Sequence, residues 1–234
     1  MAWLAIQALS GTGGPQAKLN PGVTMAGIGG EKIAGQTAAA GACCAEELQT
    51  ICHRTYSRGL VGGAGGNISV RIPGTDEVLI SATGVSLGEI TPATMVRVNL
   101  QGEVLEAHGG CHPSKETGFH VCVYRLRPQV GAVVHLHPPF ATAFAVRGKE
   151  LPLLTDGAMM LLQRVPVVGH APSGSAELHR IIEEGLLRYP EAKVILMARH
   201  GMFSMGADLT MAYNLADLAE DTAKISLLAR LIPE

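Results

Sequence analysis

The amino-acid sequence predicts an α/β or α+β fold in which one mixed sheet is covered by helices. Three observations predict it. Segments with helical spacing and segments that alternate or run apolar are mixed along the chain without a regular βα repeat. No period of roughly 20 to 50 residues recurs, which sets repeat architectures aside. The length of 234 residues suffices for one sizeable core, and no low-complexity insert breaks the ordered part, so a single domain is expected.

Residues 1–40 are rich in Gly, Ala, Thr and Gln with little periodicity, and read as an N-terminal arm ahead of a domain over 41–234. Its first stretch, "MAWLAIQALSGTGGPQ", has no positive residue before its short apolar run, so neither an export signal nor an anchor is expected. Order begins with "AEELQTICHRTYSRGL", where Leu48, Ile51, Cys52 and Tyr56 share a helical face and Gly59 can end the helix. "NISVRI" and "EVLISAT" flank the turn "PGTD" and predict a hairpin, followed by a short strand, "MVRVNL". "TGFHVCVYRLRP" has helical spacing up to Pro128. "GAVVHLH" reads as a buried strand, "SAELHRIIEEGLLRYP" as a helix closed by Pro190, and "KVILMARH" as a second buried strand. "DLTMAYNLADLAEDTAKISLLARL" is a long closing helix capped by Asp.

The charge is balanced, 18 Lys plus Arg against 20 Asp plus Glu, and no basic run could neutralise a phosphate backbone, which argues against a nucleic-acid partner. Only 16% of residues are charged while 47% are hydrophobic, a balance that suits burial of extra surface in an oligomer. Five cysteines without a CxxC spacing read as reduced thiols of a cytoplasmic protein.

His135 and His137 form an HxH pair at the end of an apolar run. On an extended strand their rings would point to opposite faces, so a shared metal needs the strand's end, which Pro138 and Pro139 supply. His200 ends another apolar run, just before Gly201. If adjacent strands end together, three imidazoles converge; alone, each reads equally as a satisfied histidine at a strand end. Glu116, at the start of a helix, could complete a ligand set or act as a base, while its surroundings also read as an ordinary helix beginning. His112 and His120 read as surface or packing residues. The glycine-rich run "GLVGGAGGNISVR" could present backbone N–H groups and Asn67 to an anion, and "SATGVS" could add hydroxyl donors. Alone, the glycine run reads as a flexible turn.

Taken in order, the glycine-rich turn with "GNISVR", "ISATGVSLGEIT", "HPSKE", "AVVHLH" and "ARHGM" resemble the class II aldolase/adducin family over roughly residues 45–230. The resemblance implies a three-layer α/β/α sandwich with a central mixed, mostly antiparallel sheet, assembled as a cyclic homotetramer with active sites at subunit interfaces. It implies a divalent metal, zinc first with manganese, cobalt or magnesium compatible, held by His135, His137, His200 and Glu116. Glu116 would also be the acid/base. A phosphate pocket is implied at Asn67, Thr83, Gly84 and Ser114, with Lys115 where fuculose aldolases commonly carry a second serine.

The implied function is metal-dependent carbon–carbon lysis of a phosphorylated sugar, a retro-aldol cleavage through a metal-stabilised enediolate. Epimerases of the family carry Asp at the Glu116 position, which favours a lyase over a pentulose-phosphate 4-epimerase. A mid-chain tyrosine of fuculose aldolases has no counterpart, the matching stretch offering Asp156. The "SKE" and "SLG" stretches look closer to 3-oxo-tetronate 4-phosphate decarboxylases, so a sugar-acid substrate is the alternative. A non-catalytic adducin-like domain would have lost the ligands present here.

Overall fold

A computed structural model describes residues 26–233. Eight strands form one sheet in the order β4-β3-β2-β1-β5-β8-β7-β6. All neighbours are antiparallel except the β6–β7 pair. The expected hairpin is β1 (Asn67–Arg71) with β2 (Glu77–Ser81), followed by β3 (Met95–Asn99) and an exposed edge strand, β4 (Val104–Ala107). The other half of the sheet consists of β5 (Ala132–Leu136), β6 (Val167–Val168), β7 (Val194–Met197) and β8 (Gly201–Gly206).

Helices cover both faces, which gives three layers. Along the central strands side chains alternate between the layers, as the two-residue period of a strand requires. On β5, Ala132, Val134 and Leu136 join a core with Leu48 and Ile51 of α1 (Ala26–Ser57), Ala141 and Phe144 of α3 (Pro139–Val146), Leu162 of α4 (Asp156–Leu162) and Tyr213 of α6 (Leu209–Ala229). Val133 faces the opposite way, into a core with Phe119 and Val123 of α2 (Thr117–Leu126) and Leu178 and Ile182 of α5 (Ala176–Arg188).

Local signals set the helix ends. Asp208 caps α6 by accepting the Met211 N–H at 2.7 Å, and Ser175 caps α5 by accepting that of Leu178 at 3.1 Å. α2 and α5 stop just before Pro128 and Pro190, which cannot continue a helix. Helix α1 departs from expectation by starting at Ala26, inside the segment read as an arm. Its early part lacks an apolar stripe and carries Gly27, Gly29, Gly30 and Gly35, which disfavour helix, so neither spacing nor propensity marked a helix there; the remainder of that segment, residues 1–25, lies outside the described residues. Among the described residues no helix is long and apolar enough to cross a membrane.

Candidate functional site

Three strands deliver the site. Their register sets Asn67 of β1 opposite His135 of β5, and His135 opposite Phe203 of β8. His135 is fully buried, its ring edge-on to Phe119 at 5.5 Å. His137 lies one residue beyond the strand, ahead of an extended Pro138 (φ −71°, ψ 140°). Free of the pleat, its ring turns back, and Nε2 stands 3.1 Å from Nε2 of His135.

His200 arrives from the turn between β7 and β8. The residue before it, Arg199, has φ of 57°, a conformation that costs a residue with a Cβ on the order of 1 kcal/mol. Backbone bonds hold the turn, Arg199 N–H to the Ala145 carbonyl at 3.2 Å and His200 N–H to that of Met197 at 3.0 Å. Gly201 is required next, because a Cβ there would collide with the Leu136 carbonyl and the His137 ring.

The ligand-capable atoms of the three histidines lie within 4.8 Å of one another. Two nitrogens sharing a tetrahedral zinc at about 2.0–2.1 Å stand roughly 3.3 Å apart, close to the His135–His137 separation. Nδ1 of His135 lies 2.9 Å from the Met202 carbonyl, which only accepts. Nδ1 therefore carries the hydrogen and Nε2 keeps its lone pair for a cation. The donor set and its spacing fit a divalent ion.

Glu116, at the N-terminal cap of α2, brings Oε2 to 3.0 Å from Nε2 of His135 and Oε1 to 3.3 Å from Nε2 of His200. Asn67 Nδ2 and Ser173 Oγ each donate to the same carboxylate at 2.8 Å. Burial alone would raise the Glu116 pKa, but the facing His135 and His200 rings, which attract the carboxylate whenever they take up a proton, and the Asn67 hydrogen bond together hold it well below the usual carboxylate range. Burial and the neighbouring His135 and His200 push His137 down to about 4 against a partial opposing effect of Glu116, and His200 is lowered by burial and His135. Neutral imidazoles beside an ionised carboxylate are the protonation states that metal ligation requires.

Above the histidines lies an open depression. Thr83 and Ser114 reach it from two loops tied by an isolated bridge between Ala82 and Pro113 and by the Thr83 N–H donating to the His112 carbonyl at 3.0 Å. Asn67, Thr83, Gly84, Ser114 and Lys115 all line it together with Glu116, His137 and His200, so the residues singled out from the sequence come together, with His135 just beneath. The glycine-rich turn packs closely here. Gly66 has φ of 71°, and a Cβ on it would come within 2.8 Å of the His135 carbonyl oxygen.

Asp156 does not line the depression; it opens α4, on the other side of the sheet. His112 is exposed. Two residues of the site were not legible. Ser173, on Glu116, sits in the Pro- and Ser-rich stretch before α5, where only loop chemistry marked it. His120 is fully buried, as a packing residue would be, yet it is hydrogen-bonded to Asn67 at 2.6 Å and to Ser69 at 2.7 Å. Burial pushes it down to about 3, helped by His135.

Residues 46–227 match the model of the class II aldolase and adducin N-terminal domain. The chain belongs to that family. It is 32% identical to an L-fuculose phosphate aldolase of Methanococcus vannielii over 181 residues, 77% of this chain and 94% of the relative. It is 33% identical to a 3-oxo-tetronate 4-phosphate decarboxylase of Haemophilus influenzae over 175 residues, 73% of this chain and 80% of the relative. A solved L-fuculose 1-phosphate aldolase superimposes with a TM-score of 0.74 at 27% identity, covering 82% of this chain and 88% of that one. The α/β sandwich with its mixed sheet is thus a class II aldolase fold.

Proposed function

We propose that the protein is a divalent-metal-dependent carbon–carbon lyase, a sugar-phosphate aldolase that cleaves a ketose 1-phosphate by a retro-aldol reaction. The observation that carries this reading is the meeting of Glu116 with His135 and His200 at 3.0 and 3.3 Å, at the floor of a depression rimmed by hydroxyl and amide donors. His135, His137, His200 and Glu116 would hold the ion, zinc first. When bound, it supplies a Lewis acid that polarises substrate oxygens and stabilises charge on the carbonyl side of the breaking bond.

The chain's own residues supply the rest. Retro-aldol cleavage removes a proton from the hydroxyl of the carbon that becomes the aldehyde, and delivers one to the carbon that leaves with the phosphate. The Glu116 carboxylate would accept the first proton on an Oε atom and deliver it to that carbon. Asn67, Thr83, Gly84 and Ser114 would hold the phosphate away from the reacting carbons, turning binding energy into position. The protein is read as cytoplasmic and as a homotetramer whose sites lie at subunit interfaces. Exposed Met159, Met160 and Leu161 on α4, with Leu231 and Ile232 at the end of the chain, offer apolar surface for such contacts.

A second reading, decarboxylation of a 3-oxo-tetronate 4-phosphate, is favoured by one observation. Lys115 stands exposed on the rim of the depression, where it could meet an additional acidic group. The test is incubation of zinc-loaded protein with a panel of ketose 1-phosphates and with 3-oxo-tetronate 4-phosphate, assayed for dihydroxyacetone phosphate and for carbon dioxide. Dihydroxyacetone phosphate supports the aldolase. Carbon dioxide from the acid replaces it with the decarboxylase, and neither product refutes both.

A further inference from the structure

Behind the candidate site, strand β1 and helix α2 interlock through a row of polar side chains, of which Ser69, His120 and Tyr124 have no part in the reaction itself. Asn67 and Ser69 lie two apart on the strand, and Glu116, His120 and Tyr124 lie four apart along the helix and its cap. Two strand residues rise about 6.7 Å and four helix residues about 6 Å, so the two rows stay in step. Each strand residue fits between two of the helix: Glu116, Asn67, His120, Ser69 and Tyr124 are joined in that order by bonds of 2.8, 2.6, 2.7 and 2.7 Å. All five are at most 5% exposed.

We propose that Tyr124, Ser69 and His120 form a one-directional hydrogen-bond relay that fixes the amide of Asn67 and, through it, the carboxylate of Glu116, which makes His120 a positioning residue for the lyase. The inference rests on Glu116 being the proton-transfer group of the proposed function.

The direction follows from which atoms can donate. The ionised Glu116 carboxylate only accepts, so the Asn67 amide nitrogen faces it and the Asn67 carbonyl oxygen faces His120. That oxygen also only accepts, so Nε2 of His120 carries the hydrogen. Burial keeps the ring neutral, which leaves Nδ1 a lone pair that accepts from the Ser69 hydroxyl. The Ser69 oxygen in turn accepts from the Tyr124 hydroxyl, whose proton burial holds firmly in place. Every donor points toward Glu116. A flipped Asn67 would set its carbonyl against the carboxylate and its amide hydrogens against a ring hydrogen, two repulsions in a dry site.

Nitrogen-15 NMR of the metal-free full chain with labelled histidine tests the direction without any turnover. His120 is expected as the pure Nε2–H tautomer; an Nδ1–H tautomer overturns the relay and leaves the role of Glu116 untouched. Kinetics of the zinc-loaded enzyme, on whichever substrate the product assay identifies, test the consequence. kcat is expected to fall by about two- to fivefold in Tyr124→Phe, about tenfold in Ser69→Ala and about a hundredfold in His120→Phe, with KM moving less and zinc content unchanged. His120→Gln, which keeps a donor toward Asn67, is expected to recover about tenfold over His120→Phe. A purely structural role would lower the yield of folded protein while kcat per zinc site stayed at wild type, and that result overturns the proposal even if His120→Phe folds poorly, because Tyr124→Phe and Ser69→Ala remain to be read. Wild-type turnover by Glu116→Gln would instead overturn the reading of Glu116, and the relay's catalytic consequence with it, although the tautomer stood.

Discussion

One face of the sheet and the other are built from the same strands to different ends. Toward α1, α3, α4 and α6, the central strands send Ala132, Val134, Leu136, Val194, Leu196 and Met202 into a mostly apolar layer, whose buried Ser204 and Glu220 bond only to backbone groups. Toward α2 and α5 they send Val133, Ile195 and Phe203, but also Ser69, Asn67 and His135. The second face therefore combines a core with a buried polar network, in which each group must find a partner because an unpaired one costs about 1–3 kcal/mol. The difference teaches that the candidate site is an extension of one core layer, and that damage to the two faces should be separable by experiment.

The largest effect is expected at the strand's end. His137→Ala removes one of three converging imidazoles without touching either packed layer, since His137 lies beyond β5. Turnover is expected to fall by about a thousandfold or more, roughly 4 kcal/mol in the barrier, with bound zinc lost and the circular dichroism spectrum retained. Metal analysis beside activity checks it. Wild-type zinc content in that variant would remove the three-histidine site.

Acid should next distinguish the faces. Below the ordinary imidazole value of 6.5 the unfolded chain binds a proton that folded His120, pushed down to about 3, refuses. The unfolded state then holds more protons, so stability falls as pH drops from about 6.5 toward 3, by on the order of 5 kcal/mol in total. Glu116 is depressed as well, so its contribution is also lost in acid, at lower pH. Denaturant unfolding of metal-free protein across this range is expected to show a shallower slope in His120→Phe than in wild type above pH 4.5. An equal slope in both would show that His120 takes a proton without penalty.

The apolar face offers the converse. Leu48 is fully buried against it, in the layer opposite the one that holds the site. Leu48→Ala is expected to cost about 3 kcal/mol of stability and to leave kcat per folded molecule unchanged. Chemical denaturation beside kinetics reads both. A drop in kcat would couple the faces and end the comparison.

The same division explains what could be read from the sequence. Elements with a helical stripe, a cap or a marked turn were legible: the β1–β2 hairpin around its turn, α2, α5, and α6 with its Asp208 cap all fall where these signals place them. β8, "GMFSMG", is buried on both faces, so it has no alternation to show, and it lacks β-branched residues. α3, "PFATAFAV", is short and apolar nearly all round, which hides its period. β4 is exposed throughout and packs too little to leave a pattern. At the site, histidines ending apolar runs were visible as a set because strand ends are marked by proline and glycine. Ser173 and His120 were not, since their roles depend on partners distant in sequence, Glu116 for the one and Asn67 and Ser69 for the other.

The smallest expected effect sharpens the comparison most, because it separates a close contact from a buried one. Arg180 and Glu184 lie four apart on the outer surface of α5, with nitrogen and oxygen 2.6 Å apart, closer than the 2.8 Å between Asn67 and Glu116. Their side chains are 60% and 61% exposed, so water solvates both charges whether or not they pair, and a pair of this kind contributes about 0.3–0.5 kcal/mol. Asn67 and Glu116 have no such alternative. Arg180→Ala is accordingly expected to shift stability by less than about 0.5 kcal/mol and to leave metal content and kcat unchanged, as denaturant titration and steady-state kinetics can read directly. A loss above 1 kcal/mol would mean that contact length, rather than exclusion of water, sets the strength of polar contacts on this side of the sheet, and the buried row from Tyr124 to Glu116 would then hold no special position.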